Sequence, residues 1–262
     1  ANPLVDYNLG ETKISTIIND GVELFTRMIL PPNFDPSKKY PVITYVYGGP
    51  HAQMITNRFL GGSNYWMQMM AQNGYIVYTI DNRGSKNRGF EFESSIHRKV
   101  GDLELSDQLA GVNYLKSLSY VDTTRMGVHG WSFGGFMTTS LMTRFPEAYQ
   151  VGVAGGPVID WKFYEIMYTE RYMDMPQENA AGYDKNSLFQ YIDNLKGRLL
   201  LIHGTDDDVV LWQHSLLYVK AAVDANNINL DYVVYPGHPH NVRGKDRLHL
   251  MGKITQYFKD HL

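Results

Sequence analysis

Three residue types that together can activate a hydroxyl stand far apart in this sequence. Gly130, Ser132 and Gly134, within RMGVHGWSFGG at 125–135, form a G-x-S-x-G pattern. Three adjacent aspartates follow (Asp206, Asp207 and Asp208), and then His238 and His240. A serine hydroxyl is barely ionised at neutral pH. It attacks a carbonyl only when a histidine takes its proton and a carboxylate holds the imidazole in the right tautomer. The glycine pattern puts the serine at the apex of a sharp strand-to-helix turn, where residues without a Cβ let backbone pass close by. By itself it also describes an ordinary glycine-rich turn, and the later acid and histidine are what give it chemical meaning. From residue type alone, one aspartate orients the imidazole while the others cap a helix near Val210 or face solvent. His238 can equally fill a loop, and His238 with His240 can bind a metal, but no second ligand cluster accompanies them. His129 and His203 read as structural histidines at strand ends. His51, His97, His214, His249 and His261 read as surface or packing residues.

These residues need a frame. A hairpin is expected over 13–30, turning at Asn19-Asp20-Gly21, whose types accept positive φ. Apolar β-branched runs at 41–47, 75–80, 150–154, 198–203 and 230–235, with a short run through Met126 and Val128, read as buried strands. Helices are expected at 65–72, 103–118, 136–144, 211–225 and 245–261. Segment 160–196, rich in Tyr, Met and Asn, reads as an irregular insertion over the strand ends. Strands alternating with helices predict an α/β class with a mostly parallel central sheet and helices on both faces. The order Ser, acid, His along successive strand ends is that of the α/β-hydrolase fold. The 262 residues suit one domain of this kind.

Bulk properties remove several alternatives. A net charge of −3, with Lys38-Lys39 and Arg98-Lys99 as the adjacent basic pairs, gives no footprint for nucleic acid. There is no cysteine, so thiolate chemistry and disulfides are excluded, while an oxidising compartment remains permitted. No apolar run approaches the ~18 residues of a membrane span. The chain opens on Ala rather than Met, so it is expected to be part of a longer or processed polypeptide. An anchor, signal or domain is then expected on its N-terminal side.

Gly130-Trp131-Ser132-Phe133-Gly134-Gly135, His203-Gly204-Thr205-Asp206-Asp207-Asp208 and Tyr168-Thr169-Glu170-Arg171-Tyr172 together resemble the prolyl oligopeptidase family, dipeptidyl peptidase IV subfamily. Gly155-Gly156-Pro157-Val158-Ile159-Asp160-Trp161, Tyr164-Glu165-Ile166-Met167-Tyr168 and Trp212-Gln213-His214-Ser215 are most similar to the bacterial prolyl tripeptidyl aminopeptidases in it. The resemblance spans essentially the whole chain. It implies a serine exopeptidase that cleaves after proline near a free amino terminus, without cofactor or metal. It assigns the nucleophile to Ser132, the acid to Asp207 and the base to His240, and the oxyanion donors to the Tyr47 hydroxyl and the Phe133 N–H. It implies a proline pocket walled by Phe133, Val158, Trp161, Tyr164, Tyr168 and Val210, with Glu165 holding the substrate's amino terminus. Trp161, Tyr164 and Tyr168 share a face if their segment is helical. Val209 departs from the subfamily pattern, which has an asparagine there for a substrate carbonyl, and this favours tripeptide over dipeptide release. The resemblance further implies an N-terminal β-propeller, a homodimer and an extracytoplasmic location. Fold alone does not assign substrate, so a carboxylesterase and a non-catalytic binding module are the rival readings.

Overall fold

The computed structural model describes residues 4–262. Among the described residues, eight strands form one sheet. Strands β1 (Thr12–Asn19) and β2 (Val22–Ile29) make the expected hairpin, with Asp20 and Gly21 both at positive φ in its two-residue loop. β2 also runs antiparallel to β4 (Ile76–Asp81). From there β4, β3 (Tyr40–Tyr45), β5 (Val121–Trp131), β6 (Val151–Gly155), β7 (Arg198–Gly204) and β8 (Leu230–Tyr235) are parallel neighbours.

Period-two alternation along the strands feeds two cores. Val42, Val128, Ala154, Leu199 and Leu201 pack with Leu105, Phe136, Leu141 and Tyr218 on one face. Ile43, Val153, Leu200 and Ile202 pack with Trp66, Met70, Leu250 and Phe258 on the other. Helices α3 (Leu103–Ser117), α4 (Phe133–Arg144) and α7 (Gln213–Asp224) supply the first set, and α1 (Tyr65–Gln72) and α8 (Asp246–His261) supply the second. A parallel sheet covered on both faces buries continuous apolar strands, as the runs in the sequence required.

Three elements differ from expectation. A short helix, α2 (Phe90–Ser94), follows β4. Strand β5 starts at Val121, before the apolar run that announces it, because its early polar residues lie at the sheet's end. Segment 160–196 is not irregular: it carries α5 (Ile166–Met173), α6 (Ala180–Lys185) and 3₁₀ pieces at Trp161–Phe163 and Leu188–Asn194. Elements this short lack a full period from which to be read.

One buried carboxyl makes the fold sensitive to pH. Glu104, in the first turn of α3, is 0 % exposed, accepts from the Gly101 N–H at 3.0 Å, and has no partner for Oε1. Burial, reinforced by the nearby Asp102 and Asp107 carboxylates, pushes it up from 4.5 to about 8. Between those limits the folded protein keeps a proton that the unfolded chain has released, so stability falls as pH rises through that window. The buried His129 and His214, both held down at about 4, give the opposite slope up to about pH 6.5. Melting temperatures should therefore decline only from about pH 6.5 to about pH 8, and Glu104→Gln should flatten that decline.

Candidate active site

The elbow is built by close backbone contact. β5 ends at Trp131, Ser132 sits at φ 62° and ψ −118°, and α4 begins at Phe133. A Cβ on Gly130 would lie 2.3 Å from the Gly134 carbonyl oxygen and 2.4 Å from that of Val46. One on Gly134 would lie 2.3 Å from the same Val46 oxygen. Only glycine admits this approach of the elbow to the end of β3. The Ser132 N–H donates to the Gly155 carbonyl at 2.7 Å, tying the turn to β6 as well.

Burial separates the three aspartates. Asp206 and Asp208 are exposed, whereas Asp207 is 5 % exposed, in the turn after β7. Its Oδ1 accepts from the N–H groups of Val209 at 3.0 Å and Val210 at 2.8 Å. Its Oδ2 lies 2.7 Å from His240 Nδ1 and 3.2 Å from His203 Nε2. Burial opposes ionisation here, but the His203 and His240 hydrogen bonds outweigh it and hold the carboxyl well below the usual carboxylate range. A carboxylate accepts only, so the proton on His240 sits on Nδ1 and leaves Nε2 as a base. His203 Nε2 also faces the Val210 carbonyl at 2.8 Å, so that nitrogen carries its proton and Nδ1 accepts from Ser215 Oγ at 2.7 Å. His203 is thus a second donor to the acid.

His238 and His240 diverge. His238 Nε2 pairs with Asp246 at 2.9 Å, and among the described residues no three His, Cys, Asp or Glu side chains converge as a metal set. The other histidines have partners too: His51 faces Glu93, His97 faces Asp174, His214 accepts from the Ile159 N–H, and His249 meets the Tyr235 hydroxyl.

Ser132, His240, Tyr47 and Tyr164 line one cleft of about 420 Å³. Burial raises the Tyr47 hydroxyl above its ordinary value, so it stays protonated and able to donate. Beside the cleft, Phe133, Val158, Trp161 and Val210 are buried and Tyr164 and Tyr168 half-buried. The Trp161 ring lies 5.3 Å from Phe133, 5.6 Å from Tyr164 and 6.2 Å from Tyr168, stacked on the last. The three aromatics do meet, but not on one helical face. Trp161 opens a 3₁₀ turn, Tyr164 is extended and Tyr168 belongs to α5, so an extended step between two helical segments brings them together. Glu165 is exposed at the start of α5 and forms no ion pair among the described residues.

Two groups were not legible from residue type. Trp131 Nε1 donates to the His240 carbonyl at 2.8 Å, fixing the histidine loop to the elbow. Asn82, fully buried after β4, donates from Nδ2 to the Gly48 carbonyl at 3.0 Å, and its Oδ1 accepts from Gln108 at 3.0 Å. The Gln108 bond fixes which way the Asn82 amide faces. Gly48 follows Tyr47 directly at φ 78°, so Asn82 pins the backbone beside that hydroxyl. The only hint was a polar residue closing a strand.

Comparison with known proteins follows the same lines. Residues 63–262 match the sequence profile of the prolyl oligopeptidase family. The chain is 37% identical over 247 residues to mouse dipeptidyl peptidase 8, covering 93% of this chain and 28% of that protein. It superimposes with TM-score 0.98 and 54% identity on a candidate dipeptidyl aminopeptidase IV of Bacteroides ovatus, covering 100% of this chain and 37% of that one. For Porphyromonas gingivalis dipeptidyl peptidase 4 the values are TM-score 0.92, 35% identity, and coverage of 97% and 36%. The chain therefore spans well under half the length of these relatives.

Asn82→Ala removes the donor to the buried Gly48 carbonyl and leaves the Gln108 amide only its longer 3.4 Å bond to the Ile80 carbonyl. Denaturant unfolding should show a loss of about 1–3 kcal/mol, the usual cost of stranding buried polar groups.

Proposed function

This chain belongs to the prolyl oligopeptidase family, and on that premise we propose that it carries the active site of a serine exopeptidase releasing di- or tripeptides by cleavage after proline. The observation that carries the reading is the 2.7 Å contact between Asp207 and His240 Nδ1, which leaves His240 Nε2 as the base in the cleft that holds Ser132. Ser132 Oγ attacks the scissile carbonyl as His240 accepts its proton. The resulting oxyanion takes hydrogen bonds from the Tyr47 hydroxyl and the Phe133 N–H, which as the first residue of α4 has no intrahelical acceptor. His240, now an imidazolium beside the Asp207 carboxylate, returns the proton to the departing amine. Water then repeats the sequence to free the acyl product.

Val158, Trp161, Tyr164, Tyr168, Val210 and the Phe133 ring offer a rigid apolar recess. Such a recess suits proline, whose ring brings apolar area with little rotamer entropy to lose. In this reading the exposed Glu165 carboxylate pairs with a free ammonium and so stops the substrate a fixed number of residues before the scissile bond. Where Val209 stands no side-chain amide is available for a dipeptide's carbonyl. The relatives named above are dipeptidyl enzymes, so the number of residues released is decided by the product. The rest of the reading is an N-terminal β-propeller that completes the site, a homodimer and a location outside the cytoplasm.

In the full-length protein, a fluorophosphonate should label Ser132, and Ser132→Ala should abolish labelling and turnover. Tyr47→Phe should lower kcat by about a hundred- to a thousandfold, the usual effect of removing one oxyanion donor. Mass spectrometry of products from Xaa-Pro-Xaa and Xaa-Xaa-Pro-Xaa peptides should give fragments ending in proline. Turnover of short acyl esters but of no peptide would overturn the exopeptidase reading.

A further inference from the structure

The Ser132 cleft meets the recess assigned above to proline at Tyr164. Tyr45, Trp66, Trp131, Leu250 and Ile254 wall it elsewhere, from β3, the elbow, α1 and α8, and Arg247 also lines it. Phe133, Val158, Trp161, Tyr168 and Val210 do not. The direction has chemical meaning. The histidine that accepted the serine proton gives it to the departing amine, so the leaving peptide exits on the His240 side. Trp131, hydrogen-bonded to the His240 carbonyl at 2.8 Å, is part of that side of the cleft.

The charge pattern is one-sided. No carboxylate lines the cleft. Burial holds the His129 imidazole down at about 4, hence neutral. Arg247 is exposed, and its recorded hydrogen bond is a long one, 3.5 Å, to the Val242 carbonyl. It has no ion-pair partner among the described residues, since the neighbouring Asp246 is turned to His238. An unpaired guanidinium at an aromatic-walled cleft presents a planar fork that matches a carboxylate, next to surface suited to one apolar side chain.

We propose that this cleft is a leaving-group subsite in which Arg247 binds a carboxylate of the departing peptide. The proposal rests on the exopeptidase reading above. It makes short peptides, whose leaving part ends in a free carboxylate close to the scissile bond, preferred over long ones. An acidic side chain in the leaving part offers the same chemistry.

The test uses the full-length protein and Ala-Pro-Phe or Ala-Ala-Pro-Phe, each as free acid and as C-terminal amide, together with an amidated peptide carrying glutamate after the proline. The free acid should exceed the amide in kcat/KM by about fivefold, the size of an exposed ion pair near 1 kcal/mol. That ratio should fall to near one in Arg247→Gln, recover in part in Arg247→Lys, and shrink with added salt. An advantage held by the glutamate peptide alone supports the subsite and assigns it to a side-chain carboxylate. Equal rates for the free acid, the amide and the glutamate peptide in the native protein, or an advantage that survives in Arg247→Gln, would overturn the proposal. Cleavage of none of the peptides would instead overturn the exopeptidase reading, a failure distinct from that of the subsite.

Discussion

The site depends on one backbone contact, the approach of the β5–α4 turn to the end of β3. The Val46 carbonyl reaches within 2.3–2.4 Å of where a Cβ on Gly130 or Gly134 would stand. That contact presses the elbow against the end of β3, two residues short of Tyr47, so the serine and the tyrosine hydroxyl share one cleft. It also requires Ser132 to sit at positive φ, a conformation a non-glycine residue adopts only when its surroundings impose it. The surroundings here are β3 on one side and the hydrogen bond from Ser132 N–H to Gly155 on the other. The strain belongs to the sheet as a whole, because three parallel strands must be in register for the turn to close.

Electrostatics sets the second layer. Asp207 is buried, which would favour its neutral form, yet two backbone amides and two imidazoles surround it with donors. Donors that outnumber acceptors keep it charged, and a fixed negative charge beside His240 Nδ1 is what makes the opposite nitrogen basic. His203, which reads as a merely structural histidine at the end of β7, belongs to this arrangement. It anchors Asp207 while Ser215 sets its tautomer. Across the cleft the charge logic reverses. His129 is neutral, no carboxylate is present, and Arg247 supplies an isolated positive charge.

The secondary structure was legible wherever the physics is local. Buried parallel strands demand continuous apolar runs, and the runs at 41–47 and 198–203 correspond to β3 and β7. The Asp20-Gly21 loop follows from which residues tolerate positive φ. The short helices of segment 160–196 were not legible, because elements of one or two turns have too little length to display a period. The aromatic trio shows the same limit. Spacing brought Trp161, Tyr164 and Tyr168 to attention, but the helical face that would unite them does not exist. Ring packing across the extended step between two helical segments does it instead.

By itself the sequence determined the chemistry available, namely a serine between glycines with an acid and a histidine at later strand ends, and the α/β frame to hold them. Residue type and period carry that information, because each is a property of neighbouring positions. Tertiary structure decided which members act together. Asp207 is set apart from Asp206 and Asp208 by burial and by the donors it meets, and His240 from His238 by which carboxylate it meets. The clamp of Asn82 on Gly48, the Trp131 bond to the His240 loop and the isolation of Arg247 are likewise contacts between distant segments. Packing of the whole sheet creates them, and no local pattern encodes them.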